Sequence, residues 1–148
     1  MKIAIIGNSH NKFTNFGYEC AKEQIVRILS HYKPEIVISG HCHLGGIDIW
    51  VEQIARALGY PLDLKIPKQL EWDNEYGFKQ RNIDIAKSCD MLFCIVVNKY
   101  PYNYEGIKFN GCYHDNLFDH VKSGACWTLK YTQNLNKFTQ RIIVKNEY

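Results

Sequence analysis

The sequence predicts an α/β fold, a Rossmann-like three-layer sandwich of about five parallel strands with helices on both faces. Two patterns and the chain length support this prediction. Short apolar runs such as "MLFCIVV" at 91–97 alternate with longer segments in which apolar residues recur at helical spacing. The runs are continuously apolar, which is typical of parallel strands buried on both faces. A chain of 148 residues, 46% of them hydrophobic, is long enough for one core, so we expect a single domain over residues 1–148.

The first half of the chain contains three predicted strands separated by two predicted helices. The first strand, "KIAIIG", ends in a glycine, and the first helix ends before Pro34, because proline cannot continue a helix. Gly59 ends the second helix as its C-terminal cap. The predicted order is strand 2–7, helix 16–32, strand 35–39, helix 47–58 and strand 60–67.

The second half continues the alternation but contains one long irregular segment. Residues 98–122 are rich in Tyr, Gly and Asn and have no clean period. This stretch is too long for a plain connection, so we predict that it is a functional insertion. The predicted order is loop 67–77, helix 78–88, strand 91–97, insertion 98–122, helix 124–135 and strand 140–144.

Composition restricts the partners and the location that we expect. The net charge of +3 is too small to predict nucleic acid or an anionic membrane as a partner. The chain has no apolar stretch of membrane-spanning length, and "MKIAIIG" is too short to be a signal peptide. We therefore expect no membrane partner and a cytoplasmic location. In that compartment the six cysteines are expected to remain thiols.

The predicted topology places several loops at one edge of the sheet. Ligands of such sheets bind beyond the carboxyl ends of the strands, where the loops after the first, second and fourth strands should meet the last helix. Glycines in "SGHCHLGGID" would let a ligand approach the backbone, and helix N-termini offer N–H groups to a phosphate. We therefore predict a nucleotide or nucleotide-derived ligand. The alternative is tight turning alone, because the chain has neither G-x-G-x-x-G after the first strand nor a P-loop.

The predicted ligand contacts divide by role. Asp48 would accept a sugar hydroxyl, and Arg81 would hold a phosphate with its bidentate fork. An ion pair of Arg81 with Asp84 or Glu75 is the structural alternative. The predicted backbone cradle consists of Gly7, Asn8, Ser9, Ser39, Gly40, Gly45, Gly46, Ser123 and Gly124.

Two carboxylates open an enzymatic alternative. Asp48 and Glu52 are four residues apart and share one helix face. Cleavage of an N-glycosidic bond needs a group that stabilises an oxocarbenium-like centre and often a base for water. These two residues are therefore candidate catalytic groups of a nucleotide hydrolase or transferase. The alternative is that Asp48 caps the helix and Glu52 is solvated, so whether the protein is an enzyme stays open.

Three segments together resemble the SLOG superfamily of Rossmann-like proteins, which includes DNA-processing and lonely-guy proteins. They are "VISGHCHLGGIDIWVEQIARALGYP", "QRNIDIAKSCDMLFCIV" and "KSGACWTLKYTQNLNK". The resemblance implies binding, and in some members processing, of nucleotides, and it adds Asn82 to the predicted ligand contacts. The matching positions are Ser39, Gly40, Gly45 or Gly46, Asp48, Arg81, Asn82, Asp90, Ser123, Gly124 and Thr128.

The chain departs from that family pattern at two places, residues 41–43 and 98–122, and both carry Cys and His. The lonely-guy motif Pro-Gly-Gly-x-Gly-Thr-x-x-Glu is incomplete. It compares with this chain only at Gly45, Gly46 and Glu52. If the protein is an enzyme, the resemblance implies a phosphoribohydrolase of lonely-guy type.

The segment "CYHDNLFDHVKSGAC" is dense in metal-ligand side chains. Cys112, His114, His120 and Cys126 would complete a tetrahedral zinc set and hold together an insertion with little core of its own. A residue of 41–43 could replace one of them. The alternative is that they are separate polar or buried residues. A zinc-stabilised interaction module without a small ligand is the third functional hypothesis.

Aromatic residues are frequent in the loops near the predicted ligand edge. They would stack on a base or form a surface between copies in a homo-oligomer such as a dimer, and the sequence does not decide between these. The residues are Trp72, Tyr76, Tyr100, Tyr102 and Tyr104.

Overall fold

A computed structural model describes residues 1–73 and 75–147 of the protein. Five parallel strands form one sheet, as predicted, in the order β3-β2-β1-β4-β5. The strands are β1 (Lys2–Gly7), β2 (Ile36–Ser39), β3 (Leu62–Leu64), β4 (Met91–Val97) and β5 (Phe138–Val144). The helices are α1 (Asn15–Tyr32), α2 (Ile47–Leu58), α3 (Phe78–Ser88) and α4 (Gly124–Asn134), with a short 3-10 turn at His10–Lys12.

Alternate residues of β1 face two separate hydrophobic cores. Ile3 and Ile5 pack with side chains of α1 and α2, whereas Ala4 and Ile6 pack with side chains of α3 and α4. Side chains of successive strand residues point to opposite faces, so an apolar run buries both faces of the sheet. The α/β sandwich with helices on both faces is therefore confirmed.

The edge strands differ most from their predicted bounds. β3 has only three residues instead of 60–67, and it pairs on one side only, with β2. β5 begins at Phe138, two residues before the predicted start, because its parallel pairing with β4 already begins at Met91. Phe138 is about half exposed, so the apolar pattern alone does not mark it as a strand residue.

The strand order reverses its direction between β1 and β4, which is the topological switch point of the sheet. β1 lies between β2 and β4, so the chain leaves β1 toward one edge and later returns through α3 to the other side. Loops at the carboxyl ends of β1 and β4 therefore diverge and leave a crevice between them. Within residues 1–73 and 75–147, no helix has both the length and the apolar character needed to cross a bilayer.

Residues 98–122 connect β4 to α4 without a helix or a strand. They contain one isolated antiparallel bridge, between Cys112 and Leu117. Large apolar side chains in this segment stay exposed, with Ile107 and Phe118 each 75% accessible. Little hydrophobic burial therefore stabilises this segment.

Candidate functional site

A cavity of about 350 Å³ lies at the carboxyl end of the sheet, in the crevice between β1 and β4. Its walls come from the end of β1, the loop after β2, the first turn of α2, one face of α3 and the start of α4. Of the predicted ligand contacts, it is lined by Gly7, Asn8, Ser9, Asp48, Arg81, Asn82, Ser123 and Gly124. This cavity thus lies at the predicted edge.

Two lysines on the cavity wall were not predicted from the sequence. Lys12 and Lys122 both line the cavity, and among the described residues neither forms an ion pair with an acid. Burial lowers the pKa of Lys12, and repulsion by Lys122 lowers it further. Two cations that repel each other in one concave site favour an anion between them.

The N-terminus of α4 opens onto the same cavity. Ser123 is the N-cap, and its hydroxyl accepts a hydrogen bond from Ala125 N at 3.2 Å. A Cβ atom placed on Gly124 would meet no atom within 4 Å. The first backbone N–H groups of α4 therefore lie beside open space, where a phosphate can approach them.

Asp48 forms the acidic part of the wall. The residue is only 7% exposed, and its Oδ2 accepts a hydrogen bond from Cys42 N at 3.2 Å. Burial raises the pKa of Asp48 to about 6, against the opposing effects of Arg81 and the Cys42 N–H. Among the described residues, Oδ1 has no hydrogen-bond partner, and neither does the Thr128 hydroxyl on the same wall. Buried polar atoms without partners are costly and are expected to meet a ligand or water.

We expect Asp48→Asn to change how stability depends on pH. The folded-state pKa of about 6 lies above the ordinary value of 3.8, so the folded protein binds this proton more tightly than the unfolded chain. The contribution of Asp48 to stability therefore falls as the pH rises from about 4 to about 6, by roughly 3 kcal/mol in total. Urea unfolding of both proteins between pH 4 and 8 should show that the free energy of unfolding of the variant rises relative to that of the wild type over that window. A difference that does not vary with pH would contradict the assignment.

Hydrogen bonds to residues of the cavity wall and the loop after β2 hold the Arg81 side chain. Nε donates to Asn82 Oδ1 at 2.8 Å, and Nη1 donates to the Gly40 carbonyl oxygen. The alternative of an ion pair with Asp84 is not found among the described residues, where Asp84 instead accepts from Gln80. The guanidinium thus lies fixed at the cavity wall. The negative charge of Asp48 nearby already offsets part of its positive charge.

Glu52 and Ser39 support the loop after β2 instead of lining the cavity. Glu52 is 2% exposed, so the prediction of a solvated side chain is wrong. Its carboxylate lies 2.8 Å from the Ser39 hydroxyl and 2.9 Å from His41 Nδ1. The Glu52 carboxylate therefore positions Ser39 and His41 in the loop after β2. Of the two proposed catalytic carboxylates, only Asp48 reaches the cavity.

Most glycines of the predicted cradle serve contacts within the protein. A Cβ on Gly40 would lie 2.9 Å from Asp48 Oδ2, and one on Gly46 would lie 2.7 Å from His10 N. Gly7 packs its bare Cα against the Ile95 carbonyl. Gly40, Gly45 and Gly46 are not among the described residues that line the cavity. Gly45 and Gly46 let the loops after β1 and β2 pack on each other, Gly40 lets Asp48 and Arg81 approach the backbone, and Gly124 borders the open space.

Asn8 joins the loops that carry the lysines. Its Oδ1 accepts from Val97 N at 2.9 Å, and its Nδ2 donates to the Lys122 carbonyl oxygen at 3.4 Å. The side chain therefore ties the ends of β1 and β4 to the residue that precedes the N-cap of α4. This contact is the reason for a buried asparagine directly after β1.

A second group of side chains, at the first turn of α4, carries potential metal-ligand atoms. Four potential metal-ligand atoms, from Cys112, Asp115, His120 and Cys126, lie within 4.8 Å of one another. His120 Nε2 is 3.4 Å from Cys126 Sγ and 3.6 Å from Asp115 Oδ2. A tetrahedral ion with ligand bonds of about 2.0–2.3 Å has ligand–ligand separations of about 3.3–3.8 Å. This cluster can therefore hold a metal ion.

The cluster differs from the predicted ligand set at one residue. Asp115 takes the position expected of His114, whose ring instead packs on Tyr113 with the centroids 4.4 Å apart. The sequence could not decide between these neighbours, because the loop conformation sets which side chain turns inward. Residues 41–43 do not join the cluster: His41 contacts Glu52, while residues 42 and 43 line the cavity.

Charged neighbours orient the cluster. His120 Nδ1 lies 2.7 Å from Asp119 Oδ1, so this carboxylate can accept a hydrogen bond from the ring, and Nε2 faces Cys126 Sγ. A carboxylate behind a histidine is the usual support of a metal-binding imidazole. Arg141 from β5 donates to Asp115 Oδ2, and Asp115 Oδ1 is buried without a hydrogen-bond partner among the described residues. The cluster thus contains an unsatisfied ligand atom.

Comparisons of the chain with protein-family models, with curated proteins and with solved structures found no match.

Proposed function

We propose that the protein binds an anionic nucleotide or nucleotide derivative in the cavity between β1 and β4. The observation that carries this proposal is the convergence of Lys12, Lys122 and the N-terminus of α4 on one concave site. Both lysines lack an acidic partner among the described residues. A phosphate would neutralise them and lie at the N-terminus of α4, where the helix dipole favours negative charge.

Other residues of the cavity wall support a ligand with a sugar and a ring. Asp48 Oδ1 and the Thr128 hydroxyl are buried without partners among the described residues, and both suit hydroxyl groups. Phe78, Trp72 and Ile85 supply apolar wall on which a base can rest. The similarity of three sequence segments to the SLOG superfamily agrees with this ligand class and is itself a hypothesis.

Calorimetric titration with inorganic phosphate, adenosine monophosphate and adenosine tests the proposal. Adenosine monophosphate is expected to bind more tightly than either phosphate or adenosine, because only it carries both the phosphate and the nucleoside. Equal affinities for adenosine and its monophosphate would contradict a phosphate subsite. Chromatography of the incubated mixtures shows whether any free base is released.

Gly124→Val tests whether the open space beside α4 is the binding site. The new side chain meets no protein atom within 4 Å of its Cβ, so we expect little change in stability. It fills the place of the phosphate, so binding of adenosine monophosphate should fall below detection. Lys130→Val introduces the same side chain at an exposed position of α4 and should leave binding unchanged. Full binding by Gly124→Val would place the ligand elsewhere.

The enzymatic alternative depends on Asp48 alone. A buried carboxyl with a pKa of about 6, as for Asp48, suits proton transfer at neutral pH. An N-glycosidic hydrolase of this kind would release free base from a nucleotide, and Asp48→Asn would stop the release while the phosphate subsite still bound. Binding without turnover by the wild type would leave the protein as a nucleotide binder.

We propose that the cluster of Cys112, Asp115, His120 and Cys126 binds zinc. Two thiolates and an imidazole are the ligands that this ion prefers, and a carboxylate completes a four-coordinate set. With a divalent ion, the charges of Cys112, Cys126 and Asp115 leave −1, which the contact of Arg141 with Asp115 offsets. Metal analysis of the purified protein should give about one zinc per chain.

A further inference from the structure

The metal-ligand cluster and the cavity share one short stretch of chain. His120 and Cys126 belong to the cluster, and residues 122–125 between them line the cavity. The side chain of Lys122 and the first N–H groups of α4 thus lie on a loop whose two ends would be ligands of the same ion. Movement of either ligand would move the proposed phosphate subsite.

Besides an ion, this stretch is held by the buried Val121 side chain, by the contacts of Lys122 Nζ with the Phe109 and Tyr113 rings, and by two backbone contacts. Val121 N donates to the Val97 carbonyl oxygen at 2.9 Å, and the Lys122 carbonyl oxygen accepts from Asn8 at a long 3.4 Å. The preceding residues 98–122 form no helix or strand and leave large apolar side chains exposed. The segment that carries Cys112 and Asp115 therefore has little buried apolar surface, and such segments open readily.

The cluster has the features of a site that needs an ion to be stable. The His120 side chain and Cys126 are fully buried, and beside them Asp115 Oδ1 is buried without a hydrogen-bond partner among the described residues. Metal bonds in such a site supply folding free energy directly. They would act on the part of the chain that apolar burial stabilises least.

We propose that a divalent metal ion in the Cys112, Asp115, His120 and Cys126 cluster positions Lys122 and the N-terminus of α4, so that metal occupancy controls anion binding in the cavity. The control rests on the proposed function, because it needs the anion site to exist. The ordering of residues 121–125 by the ion does not need it. If the metal-free loop adopts the binding conformation less than a tenth of the time, the apparent affinity falls by about tenfold or more.

Two measurements on the full chain test this. The zinc-loaded protein and the protein treated with a chelator are first compared by amide hydrogen exchange over residues 121–125, and then by titration with inorganic phosphate. We expect metal removal to increase exchange there while β1 and β4 stay protected, to weaken phosphate binding by about tenfold or more, and both effects to reverse when zinc is restored. Unchanged exchange at residues 121–125 would overturn the ordering. Equal phosphate affinity with and without metal would overturn the control.

The two proposals fail in different ways. Metal-dependent exchange with no phosphate binding in either state would refute the anion site and support the ordering. Cys112→Ser removes a ligand that does not line the cavity, and it should reproduce the chelated state. Cys20→Ser removes a thiol on α1 that packs against the other hydrophobic core from Cys112 and Cys126 and should behave as the wild type. If Cys112→Ser does not fold, the chelation experiment on the wild type still decides.

Discussion

Replacing both Lys12 and Lys122 with alanine is expected to abolish measurable binding of adenosine monophosphate while the fold remains intact. Each lysine offers a charge-assisted hydrogen bond, which is worth about tenfold to 100-fold in affinity. The two ammonium groups repel each other, and burial further lowers the pKa of Lys12. Removing them therefore takes away binding energy and also relieves repulsion within the folded protein.

Opposite effects on binding and on stability make this test specific. Thermal unfolding should show that the double variant is as stable as the wild type or more stable. Lys130→Ala, at an exposed position of α4 outside the cavity, serves as the control and should change neither property. The loss should be larger at low salt, because salt screens the charges in the wild type. Undiminished affinity of the double variant would remove the main support for an anion site.

Gly46→Ala is expected to destabilise the folded protein strongly. The residue has a φ of +87°, and an added Cβ would meet the Asn8 carbonyl oxygen and lie 2.6 Å from the Ser9 carbonyl carbon. Those atoms are backbone and cannot turn away. We expect the free energy of unfolding to fall by at least about 3 kcal/mol, because the strain of a positive φ adds to a collision with main-chain atoms.

Gly59→Ala provides a comparison at a left-handed position without a collision. Gly59 lies in the left-handed helical region (φ +83°, ψ +20°), whereas Gly46 has a ψ of −144°, and a Cβ on Gly59 meets no atom within 4 Å. Its replacement should cost only the backbone strain, about 1 kcal/mol. The difference between the variants in urea unfolding then measures the extra backbone strain at Gly46 together with its collision with the loop after β1. Equal losses would mean that both effects are smaller than the structure indicates.

The sequence by itself determined the secondary structure and the layer architecture. Continuous apolar runs and helical periodicity are local properties, so they predicted the four helices to within two residues at either end and placed the three central strands. Parallel topology then predicted the edge of the sheet where the cavity lies, because all the strands end there. Asp48, Arg81, Ser123 and Gly124 were predicted at that edge and line the cavity.

Only the tertiary structure decided which side chains meet. Lys12 and Lys122 lie far apart in the sequence, and no local pattern distinguishes them from exposed lysines. Glu52 was predicted to reach a ligand or water, but Ser39 and His41 occupy it. Asp115 replaces the neighbouring His114 among the potential metal ligands. Periodicity reports which face of an element is buried, whereas the contacts of a polar side chain depend on atoms that other parts of the chain bring beside it.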